Sequence, residues 1–302
     1  MKLVKVCYWL KCCLRKFFGI QTDDFFYENL VTRYYKIFKY EKAGIKLESI
    51  RKRKIILSMT SIPSRIDKSW ITIESLLRQS YKPDKIILWL AEDEFRNVRL
   101  PERLKEQQKR GLEICYCDNL RSYKKFYYAA KEYPDDYIVV VDDDIIYTED
   151  MLEILVKTYR KNPGNVVCHR SHYIQKHGGR LRPYNEWIHY EERRHMNEIH
   201  SFRNFFTSGA GTLLPMFRLR KEVLNRDAFM KLVPYADDVW LNFCAWKSGI
   251  KTVNTKGICG HLISIESSSD KGLSRINVTY GKNDDQIERL LKYLKIDINQ
   301  YL

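Results

Sequence analysis

The chain has 302 residues, 44% of them hydrophobic, enough to bury one large core or one core with a small terminal appendage. It carries 53 basic against 38 acidic residues, and the excess is uneven: residues 1–54 hold 14 Lys/Arg and 5 Asp/Glu. Such a balance attracts an anion, whether nucleic acid, an anionic membrane surface or a phosphorylated small molecule. The absence of zinc-finger Cys/His spacing, of an RNP-like aromatic motif and of a Walker-type Gly-rich loop argues against nucleic acid. The eight cysteines form no C-x-x-C pair and no disulfide-scaffold density, and several lie in apolar runs where a reduced thiol acts as a small hydrophobe. That pattern points to a reducing, cytosol-facing compartment.

Taken in chain order, the first twenty residues interrupt their apolar run with Lys5, Lys11, Arg15 and Lys16, too much charge to span a bilayer. They also lack a small-residue cleavage site. On a helical wheel Leu3, Cys7, Leu10, Leu14 and Phe17 share one side and Lys2, Lys5, Lys11, Arg15 and Lys16 the other. Two readings follow: a helix lying in a membrane interface, or one docked on the protein's own core. Because this segment carries much of the charge excess, peripheral attachment to the cytoplasmic face of a membrane is the working expectation. A Tyr- and Lys-rich helical region covers about 24–43, and residues 1–50 read as a basic extension to a catalytic domain at 51–302.

From residue 55 a repeat of strand and helix begins. Short apolar runs at 55–59, 85–90, 112–117 and 137–141 predict strands; the periods at 70–79, 104–110 and 122–133 predict helices between them. Strands alternating with helices imply right-handed crossovers and an α/β fold with a mostly parallel sheet flanked by helices. Beyond residue 200 the pattern mixes loops with helices at 239–246 and 284–294, and must supply the other wall of a cleft.

The run Tyr137 to Val141 ends in Asp142, Asp143 and Asp144, beyond the carboxyl end of a strand, where ligands bind in open α/β sheets. Three successive carboxylates repel one another unless a cation compensates, and hard oxygen ligands select Mg2+ or Mn2+ bridged to substrate phosphates. A solvated acidic turn is the plain alternative. An EF-hand lacks its alternating acids and its Gly here.

The strand and loop YIVVVDDDIIY, preceded by KKFYYAAKEYPDD and followed by SGAGTLLP and PYADDVWL, resembles GT-A-fold glycosyltransferases related to family 2. The likeness runs from MTSIPSR to GKNDDQIERLLKYL, about residues 54–295. It implies a GT-A, Rossmann-like nucleotide-diphospho-sugar transferase that moves a sugar from a nucleoside-diphosphate sugar to an acceptor hydroxyl, with inversion, in glycan or polysaccharide biosynthesis. Asp142 and Asp144 would be the DxD pair that positions the metal, with Asp143 between them at the nucleotide sugar. Lys125 would meet the diphosphate, Thr60 and Arg65 the nucleotide, and Gly209 and Gly211 would wall the sugar site. Of the acidic pair, Asp238 would be the general base and Asp237 would cap the following helix or orient the acceptor. His261 would be a further metal ligand. Each residue also has a bland reading: a solvated lysine, a surface ion pair, a tight turn, an N-cap or a structural histidine. The acceptor expected is a glycan or a lipid-linked glycan. A sugar-phosphate nucleotidyltransferase and a non-catalytic membrane-associated carbohydrate-binding protein are the alternatives; the first should carry a Gly-rich loop after its first strand, and MTSIPSR has no glycine.

Overall fold

A computed structural model of the protein describes residues 3–18, 23–48, 50–189, 200–219, 221–255, 262–265 and 282–302. Two helices lead, α1 (Leu3–Phe18) and α2 (Asp24–Ile37), the second capped by the Asp23 carboxylate on the Phe25 N–H. The alternating half follows: β1 (Ile55–Thr60), α3 (Ile66–Leu77), β2 (Lys85–Ala91), the single turn α4 (Glu92–Phe95), α5 (Glu102–Gln108), β3 (Leu112–Cys117), α6 (Lys124–Glu132) and β4 (Tyr137–Val141). After the aspartates come β5 (Ile145–Ile146), α7 (Met151–Lys161), β6 (Val166–Cys168), β7 (Ser171–Tyr173), β8 (Lys176–His177) and β9 (Arg180–Leu181). The last part holds β10 (His200–Ser201), β11 (Asn204–Phe206), β12 (Ala210–Pro215), α8 (Arg226–Leu232), α9 (Asp237–Lys247), β13 (Thr252–Asn254), β14 (Ile263–Ser264) and α10 (Lys282–Leu294).

The main sheet has eight strands in the order β10-β13-β6-β12-β4-β1-β2-β3. β4, β1, β2 and β3 run parallel, as their continuous apolar runs require of strands covered on both faces. Along β1 and β4 the side chains alternate between two cores. Leu57, Met59, Val139 and Val141 join the core under α3 and α7, while Ile56, Ile138 and Val140 join the one under α6 and α9. The C-terminal half departs from the expectation of loops and helices: β12 enters the centre of the sheet antiparallel to β4 and β6. Gly211, at φ +98, accommodates the register shift between Ala210 and Thr212, a bulge where a side chain would be strained.

The N-terminal helices belong to the same core as β1, through Val4, Cys7, Tyr8, Tyr27, Val31 and Tyr35. α1 turns inward a different side from the one its wheel suggests. Tyr8 Oη donates to Ile146 O at 2.8 Å and accepts from Ile263 N–H at 3.1 Å, pinning the β5–β14 ribbon. Lys11, expected on the polar side, is buried with Asp24 and Leu262 O as partners, and Leu10 is exposed. Among the described residues Cys12 is disulfide-bonded, so the cysteine set no longer argues for a reducing compartment. No helix among the described residues is long and apolar enough to cross a membrane.

Candidate active site

Strand pleat explains how the aspartate triplet is laid out. Val141 faces the α3 side, so Asp142 turns the other way, toward α6, and Asp143 turns back toward α3. α6 is a crossover helix, and its first turn therefore lies over the carboxyl ends of the strands it connects. Lys125 in that turn reaches Asp142 Oδ1 at 2.9 Å and Asp237 Oδ2 at 3.1 Å. Burial works against the Lys125 charge, but Asp142, Asp237 and Asp238 outweigh it and hold the ammonium above its ordinary value.

Asp143 goes into the protein. It accepts from Ser61 Oγ and from Arg65 Nη1 at 3.3 Å, and its own carbonyl accepts from Thr72 Oγ1 at 2.9 Å. Only 6% of its side chain is exposed, against 34% for Asp142 and 30% for Asp144. The two outer carboxylates thus face the cleft while the middle one is packed. Arg65 also pairs with Asp144 at 2.9 Å. Burial, then the charges of Asp142 and Asp143, push Asp144 up to about 6. Burial pushes Asp143 up as well, against Arg65 and Ser61. For Asp142 burial is outweighed by Lys125, with Arg170 and Arg65 adding to it, and the carboxyl lies below its ordinary value.

This donor set fits a hard divalent cation. Among the described residues no three acidic, His or Cys side chains are gathered for an ion, but Mg2+-type sites usually take one or two carboxylates and complete their shell with phosphate and water. Asp142 and Asp144 offer two hard, cleft-facing oxygens of that kind. A cavity of about 170 Å³ beside them is lined by Ser64, Arg65, Asp67, Lys68, Asp143, Asp144 and Ile265. That is below the roughly 300–1,000 Å³ usual for a ligand site, so it can take a part of a ligand whose remainder lies in the open cleft.

On the far side, α9 starts with the acidic pair. Its N-cap is Ala236 and no side chain caps it, so Asp237 is not the cap that its position suggests. Both carboxylates hold Ser208 instead: Asp238 Oδ1 accepts its N–H at 2.8 Å and Asp237 Oδ2 its hydroxyl at 3.1 Å. Burial, then the Asp237 charge, push Asp238 up to about 6. A carboxylate there stays mostly ionised at neutral pH and is basic enough to accept a proton.

The glycines separate in role. A Cβ on Gly209 would lie 1.6 Å from Asp142 Oδ2, so the Asp142 carboxylate occupies the space a side chain would need. Gly209 O also accepts from Asp142 N–H at 3.2 Å and from Tyr147 Oη. Gly211 lies against His169 and Met151, and its φ serves the β12 bulge. Thr60 sends its hydroxyl to Trp89 O at 2.8 Å, bracing the ends of β1 and β2. His261 lies outside the described residues. Ser61, Tyr147, Arg170 and Ser208 are members of the site that sequence reasoning missed. Arg170, its Nε fixed on Thr207 Oγ1 at 2.6 Å, adds positive charge near Asp142. Ser61, Tyr147 and Ser208 stood inside quoted motifs and Arg170 did not, and each of the four has a contact with a residue distant in sequence.

A parallel sheet ending in cleft-facing carboxylates, with a buried lysine linking them to a second acidic pair, defines a GT-A-type glycosyltransferase. The chain belongs to glycosyl transferase family 2, whose description matches residues 70–225. No curated protein matches it in sequence. Among solved structures it is similar to the mannosyltransferase PcManGT from Pyrobaculum calidifontis, solved with GDP-Man and Mn2+. The two are 11% identical over 90% of this chain and 72% of that one, with a TM-score of 0.50. It is also similar to S. aureus TarS, solved with UDP, at 13% identity over 72% of this chain and 58% of that one, TM-score 0.43. The nucleotidyltransferase and non-catalytic alternatives give way to this assignment.

Proposed function

We propose that the enzyme transfers a sugar, with inversion and with a divalent metal, from a nucleoside-diphosphate sugar to a hydroxyl of a glycan or lipid-linked glycan, working at a membrane surface in glycan or polysaccharide biosynthesis. The observation that carries this reading is the Lys125 bridge, which sets the Asp237–Asp238 pair opposite the aspartate that ends β4. The Mn2+ and GDP-Man of the structurally similar mannosyltransferase agree with the donor set seen here.

Mg2+ or Mn2+, held by Asp142 and Asp144, would supply Lewis-acid neutralisation of the diphosphate as the bond to the sugar breaks. Lys125 and Arg65 contribute fixed positive charge to the same anion without moving far from their carboxylate partners. Gly209, lacking a side chain, leaves room for the Asp142 carboxylate in its cleft-facing position. On the acceptor side Asp238 takes the hydroxyl proton as the oxygen attacks the anomeric carbon from the face opposite the leaving diphosphate. Ser208 N–H fixes one of its oxygens and leaves the other for the acceptor. Asp237 keeps Lys125 and Ser208 in place.

The test is Asp238→Asn, with nucleoside-diphosphate binding and turnover measured separately. Expected is unchanged binding with turnover lowered by about 100-fold or more, the usual range for a lost general base. Wild-type turnover would move the base elsewhere.

A further inference from the structure

Beyond the faces that pack inward, α1 and α2 carry a second apolar surface. Of the thirteen large hydrophobic residues exposed among the described residues, ten lie before β1. They include Trp9 and Leu10 on α1, and Phe25, Phe26, Leu30 and Ile37 on α2; Trp9 is 66% and Phe26 61% exposed. Both helices dock on the β5–β14 ribbon, α1 through Tyr8 and α2 through Asp24, whose Oδ2 accepts Ser264 N–H at 3.1 Å. Their outer stripes therefore both face away from that ribbon. Isolated exposed apolar residues are ordinary, but this concentration is not.

The charges between these residues identify the partner. The outer stripe of α2 interleaves Arg33 and Lys36 with its apolar positions, whereas Lys5 of α1 is paired with Asp150. The three acidic groups within residues 1–37 have partners of their own: Asp23 caps α2, Asp24 pairs with Lys11 and Glu28 with Lys68. Apolar and basic side chains without acids suit an interface of lipid tails and anionic headgroups, with Trp at headgroup depth. A second copy of this chain would bring the same positive charge to the same apolar patch, which disfavours self-association.

We propose that the outer stripes of α1 and α2 dock the enzyme on an anionic lipid bilayer. This deepens the membrane element of the proposed function and is independent of sugar transfer. The docked surface would lie beside the donor cavity, since Lys68, which lines that cavity, is paired with Glu28 of α2.

Flotation of the full chain with vesicles of phosphatidylcholine alone, and of phosphatidylcholine mixed equally with phosphatidylglycerol, tests this. Binding to the anionic vesicles should be about tenfold or more above that to the neutral ones, and should weaken with added salt. Trp9→Ser with Phe26→Ser should lower it about 100-fold or more, as loss of two buried rings implies, while Tyr116→Ser, an exposed ring on β3, should leave it unchanged. A thermal shift with GDP or UDP and Mn2+, equal in wild type and variant, would show that fold and donor site survive. No binding of the wild type to either vesicle would overturn the proposal. So would equal binding by the double variant, or a concentration-dependent dimer that the double variant abolishes in place of vesicle binding. A missing nucleotide shift in the wild type would count against the transferase reading alone, leaving the vesicle result readable.

Discussion

Replacing Lys125 with Met removes the cation that two carboxylates share while keeping the length of its apolar stem. The Nζ lies 2.9 Å from Asp142 and 3.1 Å from Asp237, and the side chain is 7% exposed. Removing one partner of a buried pair costs about 3–5 kcal/mol, because the remaining charge is left unpaired in a poorly solvated place. The two arms do not contribute equally. Asp142 is 34% exposed and water screens it, whereas Asp237 is 8% exposed and keeps little besides Ser208 Oγ. The low end of the range therefore applies, about 3 kcal/mol. In a chain of this size that corresponds to a fall of roughly 5 °C in the midpoint of thermal unfolding. Urea denaturation of both proteins would measure it. Repeating the change in an Asp237→Asn background should recover at least about 1 kcal/mol of the loss, since the orphaned charge is then absent. A cost below about 1 kcal/mol, that of an exposed pair, would refute the bridge as an organising element.

Asp142→Asn or Asp144→Asn should each abolish most transfer and remove the Mn2+-dependent part of nucleotide binding by calorimetry; metal-dependent binding at wild-type strength in either would count against their role. Gly209→Ala sets a methyl on the Asp142 carboxylate, 1.6 Å from Oδ2, so activity should fall by about 100-fold, and wild-type kinetics would mean that Asp142 moves freely. Acidification should lower kcat/KM through pH 6: Asp238 is pushed up to about 6 by burial and Asp237, only its ionised form accepts a proton, and activity is therefore retained above that pH and lost about tenfold per unit below it. A profile flat from pH 7 to about 5 would exclude Asp238 as the base.

The strands β1 to β4 are legible because each is a short continuous apolar run closed by turn residues, the pattern a strand buried on both faces must have. The aspartates were visible for the same reason, since they end such a run. β12 was not legible as a central strand. Ala210 to Pro215 contains small residues, a glycine at positive φ and a proline, and its place between β4 and β6 follows from long-range pairing. The sequence reading assigns no element to Met151–Lys161, although its apolar spacing is helical. For α1, periodicity marks an apolar stripe but cannot know that Asp24 and Leu262 O wait for Lys11, which rotates the docked face. Asp237 has the residue type and position of an N-cap, yet Lys125 and Ser208 claim its carboxylate. That competition exists only after folding.

The Tyr8 hydroxyl joins both strands of a two-residue ribbon, and the same ribbon leads out of Asp144, whose carbonyl accepts Ile265 N–H at 2.7 Å. α1 is therefore tied energetically to the aspartate loop. A truncation before β1 would uncover Ile145, Ile146 and Ile263 and cut two of the bonds that keep the ribbon paired. The first helix and the aspartate loop should open together, as one cooperative unit in hydrogen exchange.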